Sequence, residues 1–129
     1  MVAVPLNLRK RVSYFLAEPV SVGGDSTTLA GLFDVMQLTA PHEELKDIQD
    51  IKNAALRIAL TGTDAEKIFG EPRREDFATI RRIPEAIESA MARTQNSSML
   101  DALRLMRDKY QDIIANQGLP PQGQSVPGR

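Results

Sequence analysis

The sequence contains no cysteine, no tryptophan and a single histidine, and aromatic residues make up only 5% of it. Each shortage removes a class of function. Without cysteine there are no disulfides, no thiolate zinc sites and no cysteine nucleophile, a composition that fits a reducing compartment. With so few aromatic rings, a stacking platform for single-stranded nucleic acid is not expected. Charge of one sign is lacking as well: the net charge is −1, so no overall field draws the chain to nucleic acid or to an anionic membrane. No apolar run reaches the roughly 20 residues that span a bilayer. The stretch Val12–Val22 follows the basic Arg9, Lys10 and Arg11, but Ser13, Glu18, Pro19 and Ser21 interrupt it. It is too short and too polar for the core of a signal peptide. A soluble, intracellular protein without membrane association is the expectation.

What is present is the composition of an ordinary globular domain: 42% apolar and 26% charged residues in a chain of 129, enough for one domain with a real core. The expected fold class is mainly α, within α+β: a small N-terminal β-hairpin, then about four helices and a disordered C-terminal tail. One domain is expected over 1–116, with a β element at 12–36 and a helical part at 39–116. Residues 117–129 are the tail.

Met1–Lys10 reads as an extended arm, because Pro5 disfavours helix at Val4. Val12–Leu16 reads as a strand that Val20–Val22 continues past Pro19. Gly23-Gly24-Asp25-Ser26 is a turn. Thr27–Met36 is expected to return as the second strand, although Leu29, Leu32, Phe33 and Met36 also fit helical spacing. Thr39 is the expected N-cap of a long helix whose stripe is Leu45, Ile48, Ile51, Ala55 and Ile58. Thr61-Gly62 ends it. Thr63 and Glu66 form a capping box for a short helix that stops at Gly70. Phe77, Ile80, Pro84, Ile87 and Met91 step by three and four, and Pro84 should kink or restart that helix. After Asn96-Ser97-Ser98, Ser98 and Asp101 are expected to cap a last helix. The remainder, rich in Pro, Gly and Gln, has too little apolar surface to offset its ordering entropy.

The candidate sites are few. His42 sits beside Glu43 and Glu44, but neighbours on a helix point in different directions and no second ligand is suitably spaced, so no metal or cofactor is expected. The segment Gly23–Thr28 has neither a GxxxxGK[ST] nor a GxGxxG pattern. Arg73, Arg74, Arg81, Arg82 and Arg93 interleave with Glu71, Glu75, Asp76, Glu85 and Glu88 at helical spacing, which points to pairing on a solvated face; a phosphate-binding face is the alternative. Asp101, Asp108 and Asp112 are not isolated on an apolar face, and no nucleophile, base and orienting group assemble, so no enzyme is expected. The candidate partner-binding face is Leu100, Leu103, Met106, Tyr110 and Ile113, where adaptable Met and amphipathic Tyr lie on one helical stripe. Packing of that stripe on the protein's own core is the competing reading.

The segments YFLAEPVSVGGDSTT, VMQLTAPHEELKDI, LRIALTG and AEKIFGEPRREDFATI, in that order, resemble the tail assembly chaperones of Mu-like and related contractile-tailed phages. The matching residues are Pro19, Val20, Gly23, Leu38, Thr39, Ala40, Leu45, Leu60, Thr61, Gly62, Ile68, Asp76, Phe77 and Ile80. The likeness covers Tyr14–Met91. The stretch from Gly24 to Leu38 is longer than the family pattern, Pro84 interrupts its last helix, and the helix after Ser98 lies outside it. The resemblance implies a non-enzymatic protein of the host cell cytoplasm, absent from the mature virion. It would bind phage tape measure protein and assist tail tube protein assembly, with a homo-oligomer left open. A structural phage component such as a head–tail adaptor, or a small nucleic-acid-binding regulator, are the alternatives.

Overall fold

In the computed structural model, residues 2–115 are described. The expected fold class holds: the chain is mainly helical, with one two-stranded antiparallel hairpin near its N-terminus. The elements in order are α1 (Leu6–Ala17), β1 (Pro19–Val22), β2 (Asp25–Thr28), α2 (Leu29–Thr39), α3 (His42–Ala59), α4 (Glu66–Phe69), α5 (Arg74–Ile80), α6 (Ile83–Arg93) and α7 (Ser97–Lys109). A π-helical turn, Tyr110–Ala115, follows α7 without a break. The tail 117–129 lies outside the described residues.

The N-terminal third corrects the sequence reading. Leu6–Ala17 is a helix, so neither the extended arm nor the Val12–Leu16 strand forms. Leu8, Val12, Phe15 and Leu16 recur at helical spacing and are all buried. Their burial outweighs the strand preference of Val, Tyr and Phe, which is weak when tertiary contacts oppose it. Pro5 sits just outside this helix, where its missing N–H costs nothing. The β element is confined to Pro19–Thr28, with Pro19 opposite Thr28 and Val22 opposite Asp25. Gly23 and Gly24 make its turn at φ +61° and +92°, a region open to glycine. Thr27–Met36 does not run on as a strand: beyond Thr28 the chain is α2. Thr28 is its N-cap, the side-chain oxygen accepting from the Gly31 N–H at 3.2 Å. Leu29, Leu32, Phe33 and Met36 are buried, so the helical spacing decides.

The middle of the chain follows its local signals, with three caps displaced. α3 buries Ile48, Ile51, Ala55 and Ile58 as expected, but Pro41 is its N-cap; Thr39 ends α2, its hydroxyl donating to the Met36 carbonyl. α4 stops at Gly70, φ +92°. The expected Thr63–Glu66 capping box does not form: Ala65 is the N-cap of α4, Glu66 accepts from the Gly62 N–H at 2.8 Å, and the Thr63 hydroxyl is turned back to donate to the Leu60 carbonyl. The chain between α5 and α6 breaks as Pro84 demands, with Pro84 in the first turn of α6. Asn96, not Ser98, caps α7, accepting from the Met99 N–H at 3.0 Å.

One hydrophobic core runs from Leu8 to Ile114. α3 packs against α1, α2 and α5. α7 packs against α6 and β1, and the π-helical turn lies on α1. The first helix and the last turn thus meet, through an edge-on contact of the Phe15 and Tyr110 rings at 6.1 Å.

Candidate functional site

The face proposed for α7 is turned inward. Leu103, Met106 and Tyr110 are buried, and Leu100 and Ile113 are half-buried. Leu103, Met106 and Tyr110 belong to the protein's own core and Ile113 packs against it, the competing reading of this periodicity. His42 is exposed at the first residue of α3. Among the described residues, no group of three His, Cys, Asp or Glu side chains is placed to hold a metal ion.

Two of the five clustered arginines, Arg82 and Arg93, are consumed by ion pairs. Arg82 bonds Asp47 and faces Glu85 across 3.6 Å, contacts that raise its pKa, the Asp47 hydrogen bond most of all. Arg93 donates to Glu44 at 3.1 Å, to Ser89 at 3.2 Å and to the Thr39 carbonyl at 3.2 Å, tying α6 to the α2–α3 corner. Arg73 and Arg74 remain exposed.

A polar cleft of about 390 Å³ lies between α3 and α5, lined among others by Lys46, Asp50, Asn53, Arg57 and Asp76. Its floor is an ion pair. Asp76, 1% exposed, accepts from Arg57 Nε at 3.0 Å and Nη2 at 2.9 Å, and from the Arg73 N–H at 2.8 Å. The hydrogen bonding that Arg57 donates to Asp76 is the main reason the Arg57 pKa is raised. With two fork donors and a backbone N–H on one carboxylate, Asp76 serves to join α3 to α5 and to cap α5. Sequence reasoning placed it on a solvated face. Its position three residues after Arg73, as an N3 acid, is the signal that marks it as a cap.

The surface left open to a partner is elsewhere. Among the described residues, the exposed large apolar side chains are Leu6 (56%), Tyr14 (64%), Leu38 (84%) and Ile68 (77%). Leu6, Lys10 and Tyr14 follow one another at i, i+4, i+8 on the outer face of α1. A groove of about 220 Å³ runs beside them, lined by Arg9, Lys10, Ser13, Tyr14, Ala59 and Thr63. Thr63 also lines a second cleft, of about 370 Å³, with Glu66, Lys67, Gly70 and Glu71 around α4, the helix that carries Ile68. The Arg9 guanidinium fixes the near wall by donating to the Thr61 carbonyl at 3.0 Å, and the Gly62–Glu66 bond fixes the loop between. This surface was hidden from sequence reasoning because α1 was read as a strand. The helical spacing of Leu6, Lys10 and Tyr14, opposite Leu8, Val12 and Phe15, is the signal that finds it.

No family model, no curated protein and no solved structure matches the chain.

Proposed function

We propose that this chain is a phage tail assembly chaperone, a non-enzymatic binding protein that holds helical segments of a tape measure protein while tail tube subunits polymerise. The observation that carries the reading is the open surface from α1 across Thr63 to α4, where two grooves share Thr63, Tyr14 lines the first, and Leu6 and Ile68 are exposed on the helices that border them. Single exposed apolar residues are ordinary on any protein. Here Leu6 and Tyr14 share one helix face beside a groove, which is how an amphipathic helix of a partner is received. The resemblance supplies the partner's identity. Of the residues that carry it, Leu38 and Ile68 are left outside the core, at 84% and 77% exposure. Core packing gives no reason for an apolar residue at either position, and contact with a partner does. The chaperone acts in the host cell cytoplasm and leaves before the particle is complete.

The test is co-expression with the tape measure and tail tube proteins of the same genome, followed by capture on this chain. A stable complex with the tape measure protein is expected, weakened by Ile68→Ser and by Leu38→Ser, with the chain missing from purified particles. Retention of the chain in particles, with no such complex, overturns the reading in favour of a head–tail adaptor.

A further inference from the structure

We infer that the groove between α1 and the end of α3 receives an acidic amphipathic helix of a partner protein, one apolar side chain entering beside Tyr14 and a carboxylate pairing with Lys10. The inference rests on the chaperone reading for the partner's identity, and on charge for its chemistry. α1 carries Arg9, Lys10 and Arg11 and no acidic residue. None of these three takes part in an ion pair among the described residues. By contrast, bases on α3, α6 and α7 are paired, as in Lys52 with Asp34, Arg93 with Glu44 and Arg107 with Glu88. In a chain of net charge −1, α1 thus carries three bases and no acid of its own, whereas Lys67, Arg73, Arg74 and Arg81, also outside ion pairs among the described residues, have Glu66, Glu71, Glu75 and Glu85 close by in the chain.

The groove lining repeats this bias. Arg9 and Lys10 contribute to it and no carboxylate does. Glu66 and Glu71 lie beyond Thr63 in the neighbouring cleft, where Lys67 accompanies them. Acidic side chains of a bound helix therefore belong over α1 and not over α4. Leu6 and Tyr14, exposed on either side of Lys10, offer apolar contact around the charge, so an ion pair formed there is partly shielded from water. At about 220 Å³ the groove falls below the roughly 300–1,000 Å³ usual for small-molecule pockets and suits inserted side chains. A recess of this kind favours a helix with protruding side chains over a flat lipid surface.

Fluorescence anisotropy on the full chain tests this, with a labelled synthetic peptide of helical Leu/Glu repeat as the probe. Its Leu/Lys counterpart and vesicles rich in phosphatidylglycerol serve as comparisons. The Leu/Glu peptide is expected to bind, and to weaken severalfold between about 50 mM and about 500 mM NaCl. Lys10→Glu should weaken it at least about tenfold, Tyr14→Ser comparably, and Lys10→Arg little. Both side chains are exposed, so the melting curves of these variants should match the parent. Equal binding of the Leu/Lys peptide, or indifference to Lys10→Glu, overturns the inference. Vesicle binding that Lys10→Glu abolishes, without peptide binding, overturns it in favour of a lipid surface. The two readings separate on capture. If Lys10→Glu still takes up tape measure protein, the groove fails and the chaperone stands. If the parent binds the acidic peptide but captures no tape measure protein, the groove stands and the chaperone fails.

Discussion

Asp76 and Tyr110 show how much a single buried polar side chain decides here. Asp76 holds Arg57 and the start of α5 together, and the Arg57 side chain is itself only 12% exposed. Removing one partner of such a pair leaves a poorly solvated charge, at a cost of about 3–5 kcal/mol. Asp76→Ala is expected at the lower end of that range, because the adjoining cleft gives Arg57 a way to water. Denaturant unfolding measures it. The double replacement Arg57→Met with Asp76→Leu should recover part of the loss, since two apolar groups strand no charge. Tyr110 sets a pH dependence. Burial pushes its phenol above the ordinary value of 10.0, with the charge of Arg81 pulling the other way. As pH rises, the unfolded chain therefore loses this proton before the folded one does. Its contribution to stability is intact below about pH 10 and is lost above it. Tyr110→Phe keeps the ring against Phe15 and removes the ionisation. Urea unfolding at about pH 9 and about pH 11 should show a smaller fall for the variant than for the parent. An equal fall would assign the alkaline loss to other groups.

At the scale of elements, α2 is set against the hairpin so tightly that a helix-favouring change should hurt. A Cβ added to Gly31 would stand 2.2 Å from the Thr27 hydroxyl oxygen. Replacing glycine by alanine within a helix ordinarily gains up to about 1 kcal/mol. Gly31→Ala alone should instead destabilise, because Thr27 must move. In a Thr27→Ala background the same change should become neutral or stabilising. A double-mutant cycle reads this coupling directly, and additivity of the two changes would remove the contact from the account. The elements that were legible in the sequence are those written in local chemistry. Gly23-Gly24 and Gly70 mark turns through positive φ, Pro84 forces a restart, and α3 has a stripe too regular to misread. α1 was not legible because Val12, Tyr14 and Phe15 each suit a strand, and their helical stripe gains meaning only once α3 and the π-helical turn lie against it. α2 carried both periodicities, and burial of four residues at once selected one. The α7 stripe read as amphipathic whether it faced a partner or the core, so sequence had no means of choosing. The open face of α1 could not be seen before α1 was known to be a helix.

For the whole molecule, the first helix closes the fold against the last described turn. Phe15 meets Tyr110, Glu18 faces Lys109 across 3.5 Å, and the Glu18 carbonyl accepts from the Leu29 N–H at 3.0 Å. α1 contributes Leu8, Val12, Phe15 and Leu16 to the core. At about 1.5–3 kcal/mol for each buried apolar side chain, these four together supply roughly 6–12 kcal/mol. The entire stability of a domain is about 5–15 kcal/mol. A chain lacking residues 2–17 should therefore fail to unfold cooperatively, as thermal circular dichroism would record, and should expose apolar surface to a reporter dye. Tyr14→Ser, on the opposite face of the same helix, should change stability by less than about 0.5 kcal/mol. The contrast matters for function. One helix supplies both the closure of the core on its inner face and the uncompensated basic surface on its outer face. Loss of partner capture on truncation would therefore report unfolding, whereas loss with Tyr14→Ser at unchanged melting temperature would report recognition. A truncated chain that still melts cooperatively would show that α2–α7 sustain a core alone, and would leave α1 as a binding element laid on a finished domain.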